Sequence, residues 1–243
     1  MPIRDDLILR MLDQVSEVVA RVLTGRSPDA LPEAERELAS AYQELTGSGR
    51  ALVGRLSSEQ LLAILGAPSR FNRERGYVLA RLLEADAALV EAREGGASVG
   101  GADEAGVDGA LPSPDAGVAR LKALDLYLEA ARAGLDEEDL EERIDALAAM
   151  LAELELPAAS HWRLFEHAAA GGRFAEAEDL LFDGVERFGT DRDVAERGRA
   201  FYRELEGRSD AELEAGALPR AEVGEGRDAF EAELSRAPQP GTG

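Results

Sequence analysis

The sequence contains no cysteine, which excludes a disulfide framework, a cysteine-based zinc site and a thiol nucleophile. Aromatic residues are also few, at 5% of the chain. No apolar run approaches the roughly 20 residues that a membrane-spanning helix needs. The chain starts with Arg4, Asp5 and Asp6 before an amphipathic stretch, which is unlike a signal peptide, so we expect a cytoplasmic protein.

Positive charge is scarce as well. Acidic residues number 49 against 27 lysines and arginines, which gives a formal net charge of −22. The sequence shows no local basic patch, so we expect no nucleic-acid partner, because the phosphate backbone would repel the chain. A length of 243 residues is enough to bury a core and predicts one or two domains.

Helical periodicity runs through nearly the whole chain. In the first segment Leu7, Met11, Val15, Val18 and Val22 recur at three- and four-residue spacing, which is typical of an amphipathic helix. Strand-like alternation is not seen, so we predict an all-α fold, a short array of about nine to ten helices paired as antiparallel hairpins. The predicted helices cover about 5–23, 32–45, 59–65, 72–94, 115–133, 137–154, 157–170, 174–188 and 191–206, with a last stretch after Ser209.

One segment breaks this pattern. Residues 95–114 consist largely of glycine, alanine, serine and acidic residues, which bury too little apolar surface to offset the entropy of ordering. We therefore predict a flexible loop there, between an N-terminal helical part (1–94) and a C-terminal helical part (115–236). The final residues, 237–243, form a proline- and glycine-rich tail that we expect to be disordered.

A repeat signal lies in the C-terminal part. Gly172, Phe174 and Ala177 have the spacing of the turn and second-helix start of a tetratricopeptide repeat. Small residues at such positions let two helices approach closely, while large apolar residues fill the space between them. The residues predicted to pack this hairpin are Leu164, Phe174, Ala177, Leu181 and Gly184.

A weaker second copy is visible earlier in the chain. Ala123, Tyr127 and Ala130 repeat the small–large–small spacing. The first helix of that pair would be the one ending near Glu94, with 95–114 inserted in the turn between the two helices. Such an insertion is tolerable because the entropy cost of closing a loop grows only logarithmically with its length.

Three segments resemble an uncharacterised bacterial family with tetratricopeptide-like helical repeats. They are Ile3–Met11, Ala177–Phe182 and Leu213–Val223, and the resemblance spans most of the chain. It implies the helical-repeat fold. No activity is implied, because none is known for that family.

Residues that could support catalysis or bind a cofactor are not arranged in any known pattern. His161 and His167 lie six residues apart on one predicted helix, whereas zinc-binding helical pairs need a spacing of four, so we interpret both as surface or edge histidines. No nucleophile elbow and no phosphate-binding glycine loop occurs. We therefore predict no catalytic residue, no metal site and no cofactor.

Partner binding is the class of function that remains when no catalytic, metal or cofactor site is predicted. On the repeat alignment, Trp162 and Glu166 face the concave groove, where an aromatic residue beside a carboxylate could anchor a peptide. The alternative is that Trp162 packs against one of the two helices preceding its own. The acidic run Asp136–Glu142 has two interpretations, a solvated helix start or a face for a basic partner.

We therefore predict a non-enzymatic helical-repeat module that binds an unidentified protein or peptide. Two alternatives are open. One is a ligand sensor or an enzyme whose site consists of scattered arginine and glutamate residues. The other is a structural homo-oligomer assembled through the first helix, since the broad apolar side of that helix suits core packing or dimerisation; the oligomeric state is not predicted.

Overall fold

The predicted all-α fold is confirmed by the computed structural model, which describes residues 30–67, 70–98 and 114–236 together with Glu17. These ranges contain eleven α-helices and no β-strand. None of the described helices is both long and apolar enough to span a bilayer. The helices are α1 (Ala30–Thr46), α2 (Arg50–Arg55), α3 (Ser58–Ile64), α4 (Arg73–Ser98), α5 (Pro114–Arg132), α6 (Leu140–Leu151), α7 (Ala158–Ala170), α8 (Phe174–Phe188), α9 (Arg192–Glu206), α10 (Asp210–Ala215) and α11 (Arg220–Arg236).

The chain divides into two compact units, unit 1 (Met1–Glu155) and unit 2 (Leu156–Gly243). The sequence instead predicted a division between two helical parts at residues 95–114. The two divisions differ because α4 and α5, which flank that segment, pack against each other inside unit 1. Most of 95–114 and the tail 237–243 lie outside the described residues, and α4 continues to Ser98, beyond the predicted end near residue 94.

Unit 1 is built around antiparallel helix pairs. Helix α4 packs against α1 on one side and against α5 on the other, and α6 packs on α5. The antiparallel direction of α4 and α5 follows from contacts between opposite ends, Tyr77 with Tyr127 and Glu91 with Arg120. Helix α5 is the centre of the unit, because residues 122–130 are all buried. The predicted packing residues Ala123, Tyr127 and Ala130 lie within this buried stretch.

Unit 2 contains the hairpin that carries the repeat signal. Gly172 forms the α7–α8 turn at a φ of +75°, where glycine is favoured. Every residue predicted to pack this hairpin is buried, namely Leu164, Phe174, Ala177, Leu181 and Gly184. A Cβ on Gly184 would lie 2.8 Å from Cζ2 of Trp162 and 2.9 Å from Nε2 of His161, so α7 and α8 approach too closely there for a side chain.

A second close crossing joins α9 and α11, and the sequence did not predict it. The ring of Phe230 lies against Gly198, with Cε2 only 2.8 Å from where a Cβ would stand. Phe230 is fully buried. The ion pair Arg199–Glu231 lies beside this crossing. Arg227 near the start of α11 contacts Glu206 at the end of α9, which shows that the two helices run antiparallel.

Short polar signals fix several helix ends. Ser57 and Gln60 form a reciprocal capping box at the start of α3, and Ser209 and Glu212 form another at α10. The side chain of Asp191 accepts a hydrogen bond from the backbone N–H of Val194 at the start of α9. These caps explain why most predicted boundaries lie within a few residues of the observed ones.

Two further predictions differ from the observed helices, and a third lies outside the described residues. The first predicted helix, 5–23, lies outside the described residues except for Glu17, which is helical. Helix α2 was not predicted, since its six residues are too few to show a periodicity. Helix α6 begins at Leu140 rather than near residue 137, because the acidic residues before it form a turn.

Candidate interaction site

The two residues predicted to bind a partner, Trp162 and Glu166, lie on α7 and are linked by Arg197 of α9. The guanidinium of Arg197 lies 5.1 Å from the centre of the Trp162 ring and forms an ion pair with Glu166. Trp162 is half-buried, whereas Glu166 is exposed. One face of the indole is therefore covered by a cation from the same unit, and a partner would have to displace Arg197 to stack there.

Trp162 also belongs to an aromatic cluster at the α7–α8 crossing. Its ring centre lies 5.2 Å from that of His161, 5.9 Å from that of Phe165 and 6.2 Å from that of Phe188. Edge-on arrangements at these distances stabilise aromatic clusters. The indole thus packs within unit 2 against α8 and α9.

A groove that sequence reasoning missed lies next to this cluster, within unit 2. Its volume is about 940 Å³, and it runs between the C-terminal half of α8, the turn into α9 and the last turn of α11. We call it the acid-rimmed groove. Its lining comprises three apolar residues (Phe182, Val185, Phe188), four carboxylates (Asp183, Glu186, Asp191, Glu233), the turn residues Gly189 and Thr190, and Arg236.

The apolar floor of the acid-rimmed groove packs against neighbouring side chains. Phe188 has its ring centre 5.3 Å from that of His161 and carries the guanidinium of Arg187 at 5.1 Å. The turn beside it is fixed by Gly189 at a φ of +84° and by the Asp191 cap. A floor that is already ordered loses little conformational entropy when a ligand binds.

The rim is negatively charged. Four carboxylates face one guanidinium, and that guanidinium, Arg236, forms an ion pair with Glu233. Asp183 lies 3.1 Å from Arg187, whose side chain also donates to the Leu156 carbonyl. Glu186 is exposed and forms no ion pair within the part of the chain that the structure describes. The groove therefore combines an apolar floor with an excess of negative charge.

His161 corrects one prediction. It was interpreted as a surface or edge histidine, but it is buried at the α7–α8 crossing with only 1% of its surface exposed. Nε2 lies 2.7 Å from the Leu180 carbonyl oxygen, and Nδ1 lies 3.5 Å from a carboxylate oxygen of Asp183. Burial lowers the pKa of His161, which favours the neutral ring. Periodicity missed this because it treats histidine as polar.

No described group of three histidine, aspartate or glutamate side chains is arranged to hold a metal ion. His167 is half-buried further along α7. The geometry thus offers packing and charge but no convergent metal ligands among residues 30–67, 70–98 and 114–236.

A polar network in unit 1 was also missed. Tyr127, which is buried, donates to Glu84, and Tyr77 donates to Asp139. Arg143 bridges the two carboxylates, at 3.1 Å from Glu84 and 2.7 Å from Asp139. Burial raises the pKa of Tyr127, and hydrogen bonds from Tyr77 and Arg143 hold the pKa of Asp139 below its ordinary value although burial opposes this. Each carboxylate is paired with an arginine. The network joins α4, α5 and α6, because its members come from all three helices.

This network bears on the acidic run Asp136–Glu142. Asp139 is the residue before α6, yet its side chain makes no capping hydrogen bond and is directed to Tyr77 and Arg143 instead. At least one carboxylate of the run, that of Asp139, therefore forms its hydrogen bonds within unit 1.

The only lysine is also structural. Lys122 is buried in α5, and its Nζ donates to the Gly54 carbonyl oxygen at 2.6 Å. Burial lowers its pKa. It ties α5 to α2, a role that a single lysine in the sequence does not reveal.

The protein is an all-α protein of helix hairpins with a surface groove. The chain belongs to a family of unknown function (DUF6483), whose model matches residues 2–234. Neither the curated proteins nor the solved structures that were searched contain a match.

Proposed function

We propose that this protein is a non-enzymatic helical-repeat module that binds a protein or peptide partner through the acid-rimmed groove. The observation that carries the proposal is the apolar floor of Phe182, Val185 and Phe188 beneath a charged rim. Binding sites in proteins are typically concave and apolar with a few polar groups at their edges. The large apolar residues supply affinity, and the rim supplies specificity.

The tetratricopeptide-like interpretation is part of this proposal. It is supported by the burial of Ala177 and Gly184 and by the contact of Gly184 with α7. Helical-repeat proteins use the surfaces between stacked hairpins to bind other proteins. The proposal moves the binding site from Trp162 and Glu166 to the neighbouring groove, because Arg197 contacts both of these residues, whereas the groove has a cavity lined by Phe182 and Val185 as well as Phe188.

The experiment is a peptide-display selection on the immobilised full chain, followed by affinity measurements on the selected peptides. Thr190 lines the groove, and Thr190→Trp fills part of it with a large ring while keeping the floor intact. Ala211→Trp is the control, because Ala211 is exposed on α10 and does not line the groove. We expect Thr190→Trp to weaken binding at least ~10-fold, which corresponds to about 1.4 kcal/mol.

Equal binding by the two variants would overturn the proposal, as would a selection that returns no peptide. Circular dichroism of both variants shows whether the helical fold is kept. Trp162→Ala is a poorer test, because removing a ring packed against Gly184 would disturb the α7–α8 crossing itself.

A second candidate, an anion-binding sensor, is favoured by a smaller cleft between α9 and α11. Its volume is about 200 Å³, and Arg199, Arg203 and Arg227 line it together with Glu206 and Glu231. A thermal-shift screen against nucleotides and metal ions tests this function. A rise of several degrees with one ligand, lost in Arg203→Gln, would favour the sensor over the peptide-binding module.

The third function, assembly through the first helix, concerns residues outside the described ranges and stays a prediction. Light scattering on the full chain and on a chain starting at Ser27 tests it. An unchanged number of chains per particle would exclude this function. A nucleic-acid partner is disfavoured on sequence grounds alone, by the charge of −22.

A further inference from the structure

We infer that the acid-rimmed groove takes a basic amphipathic helix of another protein, with its apolar face on the floor and its lysine or arginine side chains at the rim. This inference rests on the proposed function and adds the chemistry of the partner to it. Three properties of the groove carry it: the size of the floor, the charge of the rim and the state of the backbone around it.

The floor has room for more than one large side chain. At about 940 Å³ the groove lies at the upper end of the range of about 300–1,000 Å³ that is usual for binding pockets. Phe182 and Phe188 are both half-buried, so parts of their rings are accessible. A helix presents large apolar residues at i, i+3, i+4 and i+7 along one face, which is the pattern such a floor accommodates.

The rim selects the sign of the partner's charge. Asp183, Glu186, Asp191 and Glu233 surround the floor, and Arg236 is the one cation among the lining residues. A second copy of this chain, with a formal charge of −22, would meet the rim with like charge, and so would a nucleic-acid backbone. A lysine- or arginine-rich segment would meet it with the opposite charge.

The backbone around the groove favours a helical occupant over an extended one. β-augmentation, one way of binding an extended peptide, needs a strand edge with free backbone N–H and C=O groups. The described residues that line the groove belong to two helices and a turn and offer no strand edge, and the N–H of Gly189 donates to the Val185 carbonyl oxygen. A helix satisfies its own backbone groups and therefore needs no such edge.

Three synthetic 16-residue peptides test the inference on the full chain. The first places leucine at helical spacing with lysine elsewhere, and the second replaces every lysine with glutamate. The third has the composition of the first, with leucine and lysine in an order that gives no helical face. We expect the first to bind at least ~10-fold more tightly than either of the others by calorimetry at low salt, and to weaken as salt screens the rim.

Two matched double variants separate the rim from the overall charge of the protein. Glu186→Gln with Glu233→Gln removes two rim charges, whereas Glu214→Gln with Glu225→Gln removes two exposed charges elsewhere in unit 2. Exposed charge pairs predict a loss in affinity for the lysine peptide of about 2- to 30-fold in the rim variant. The control variant should bind it as the unchanged protein does.

Each contrary outcome has a distinct meaning. Equal weakening in the two double variants would show attraction to the whole acidic chain and would overturn the inference. Tight binding of acidic or neutral peptides that Thr190→Trp abolishes would overturn the inference and leave the proposed function standing. If no peptide of any charge is sensitive to Thr190→Trp, the proposed function falls and the inference falls with it.

Discussion

Replacing Gly184 with alanine tests the packing of the α7–α8 hairpin. Alanine in place of glycine inside a helix ordinarily stabilises by about 0.5–1 kcal/mol. At Gly184 the added methyl group would overlap the rigid Trp162 ring and approach His161, whose ring is already fixed at the Leu180 carbonyl. Overpacking of this kind costs about 1–3 kcal/mol, so the net effect is a loss of up to about 2.5 kcal/mol.

Gly224 is the matched control for this substitution. It lies inside α11 without a positive φ, and a Cβ there would meet no atom within 4 Å. Gly224→Ala should therefore stabilise by about 0.5–1 kcal/mol. The two variants should differ in the free energy of unfolding by the overpacking cost alone, about 1–3 kcal/mol.

Urea unfolding of the full chain, followed by tryptophan fluorescence, measures this difference. Trp162 is the only tryptophan and belongs to unit 2, so its signal reports the unit that contains both glycines. The midpoint multiplied by the slope of the transition gives each free energy. If Gly184→Ala stabilised unit 2 as much as Gly224→Ala, the close crossing of α7 and α8 would be refuted.

Three further predictions concern other contacts. Gly198→Ala should destabilise unit 2 by up to about 2.5 kcal/mol after the helix-propensity gain is subtracted, because the buried ring of Phe230 occupies the space, and stabilisation equal to that of Gly224→Ala would contradict this. Burial lowers the pKa of His161 from 6.5, so as the pH falls below 6.5 the histidine binds a proton in the unfolded chain before it does so in the folded chain. The free energy of unfolding of unit 2 should then fall by up to about 1.4 kcal/mol per pH unit until the folded pKa is reached. His161→Gln should lack this dependence, and equal slopes of the urea midpoint against pH for the two proteins would refute it. Tyr127→Phe should destabilise unit 1 by about 1.5–3 kcal/mol, measured by circular dichroism in urea, because it removes a hydrogen bond to the charged Glu84, and an unaltered unfolding curve would count against the network.

The sequence was informative where the signal is local. Ala177, Leu181 and Gly184 lie within one hairpin, so their spacing along the chain fixes their spacing on the helix and predicts which helix they meet. The starts of α3 and α10 are local in the same way, because Ser57 and Ser209 cap them through a residue three positions later. These predictions need no knowledge of distant parts of the chain.

The sequence was uninformative where partners come from separate elements. Gly198 and Phe230 pair across the inserted helix α10, so no fixed spacing marks them. The acid-rimmed groove likewise combines α8 with the end of α11, and its residues carry no shared motif. Trp162 and Glu166 are four residues apart on α7, but the Arg197 side chain that contacts both of them comes from α9.

The burial of polar residues was the other source of error. Lys122 and His161 are polar by type, yet each is buried beside a backbone carbonyl, which lessens the cost of removing it from water. A pattern of polar and apolar letters cannot record such a partner. The same holds for Tyr127, whose hydroxyl group reaches Glu84 on another helix.

Hydrogen–deuterium exchange of the full chain with and without the leucine–lysine peptide shows directly where the peptide binds. We expect slower exchange at residues 182–191 and in the last turn of α11, where the acid-rimmed groove lies, and little change in unit 1. Protection confined to other helices, or none at a peptide concentration that saturates binding, would contradict it.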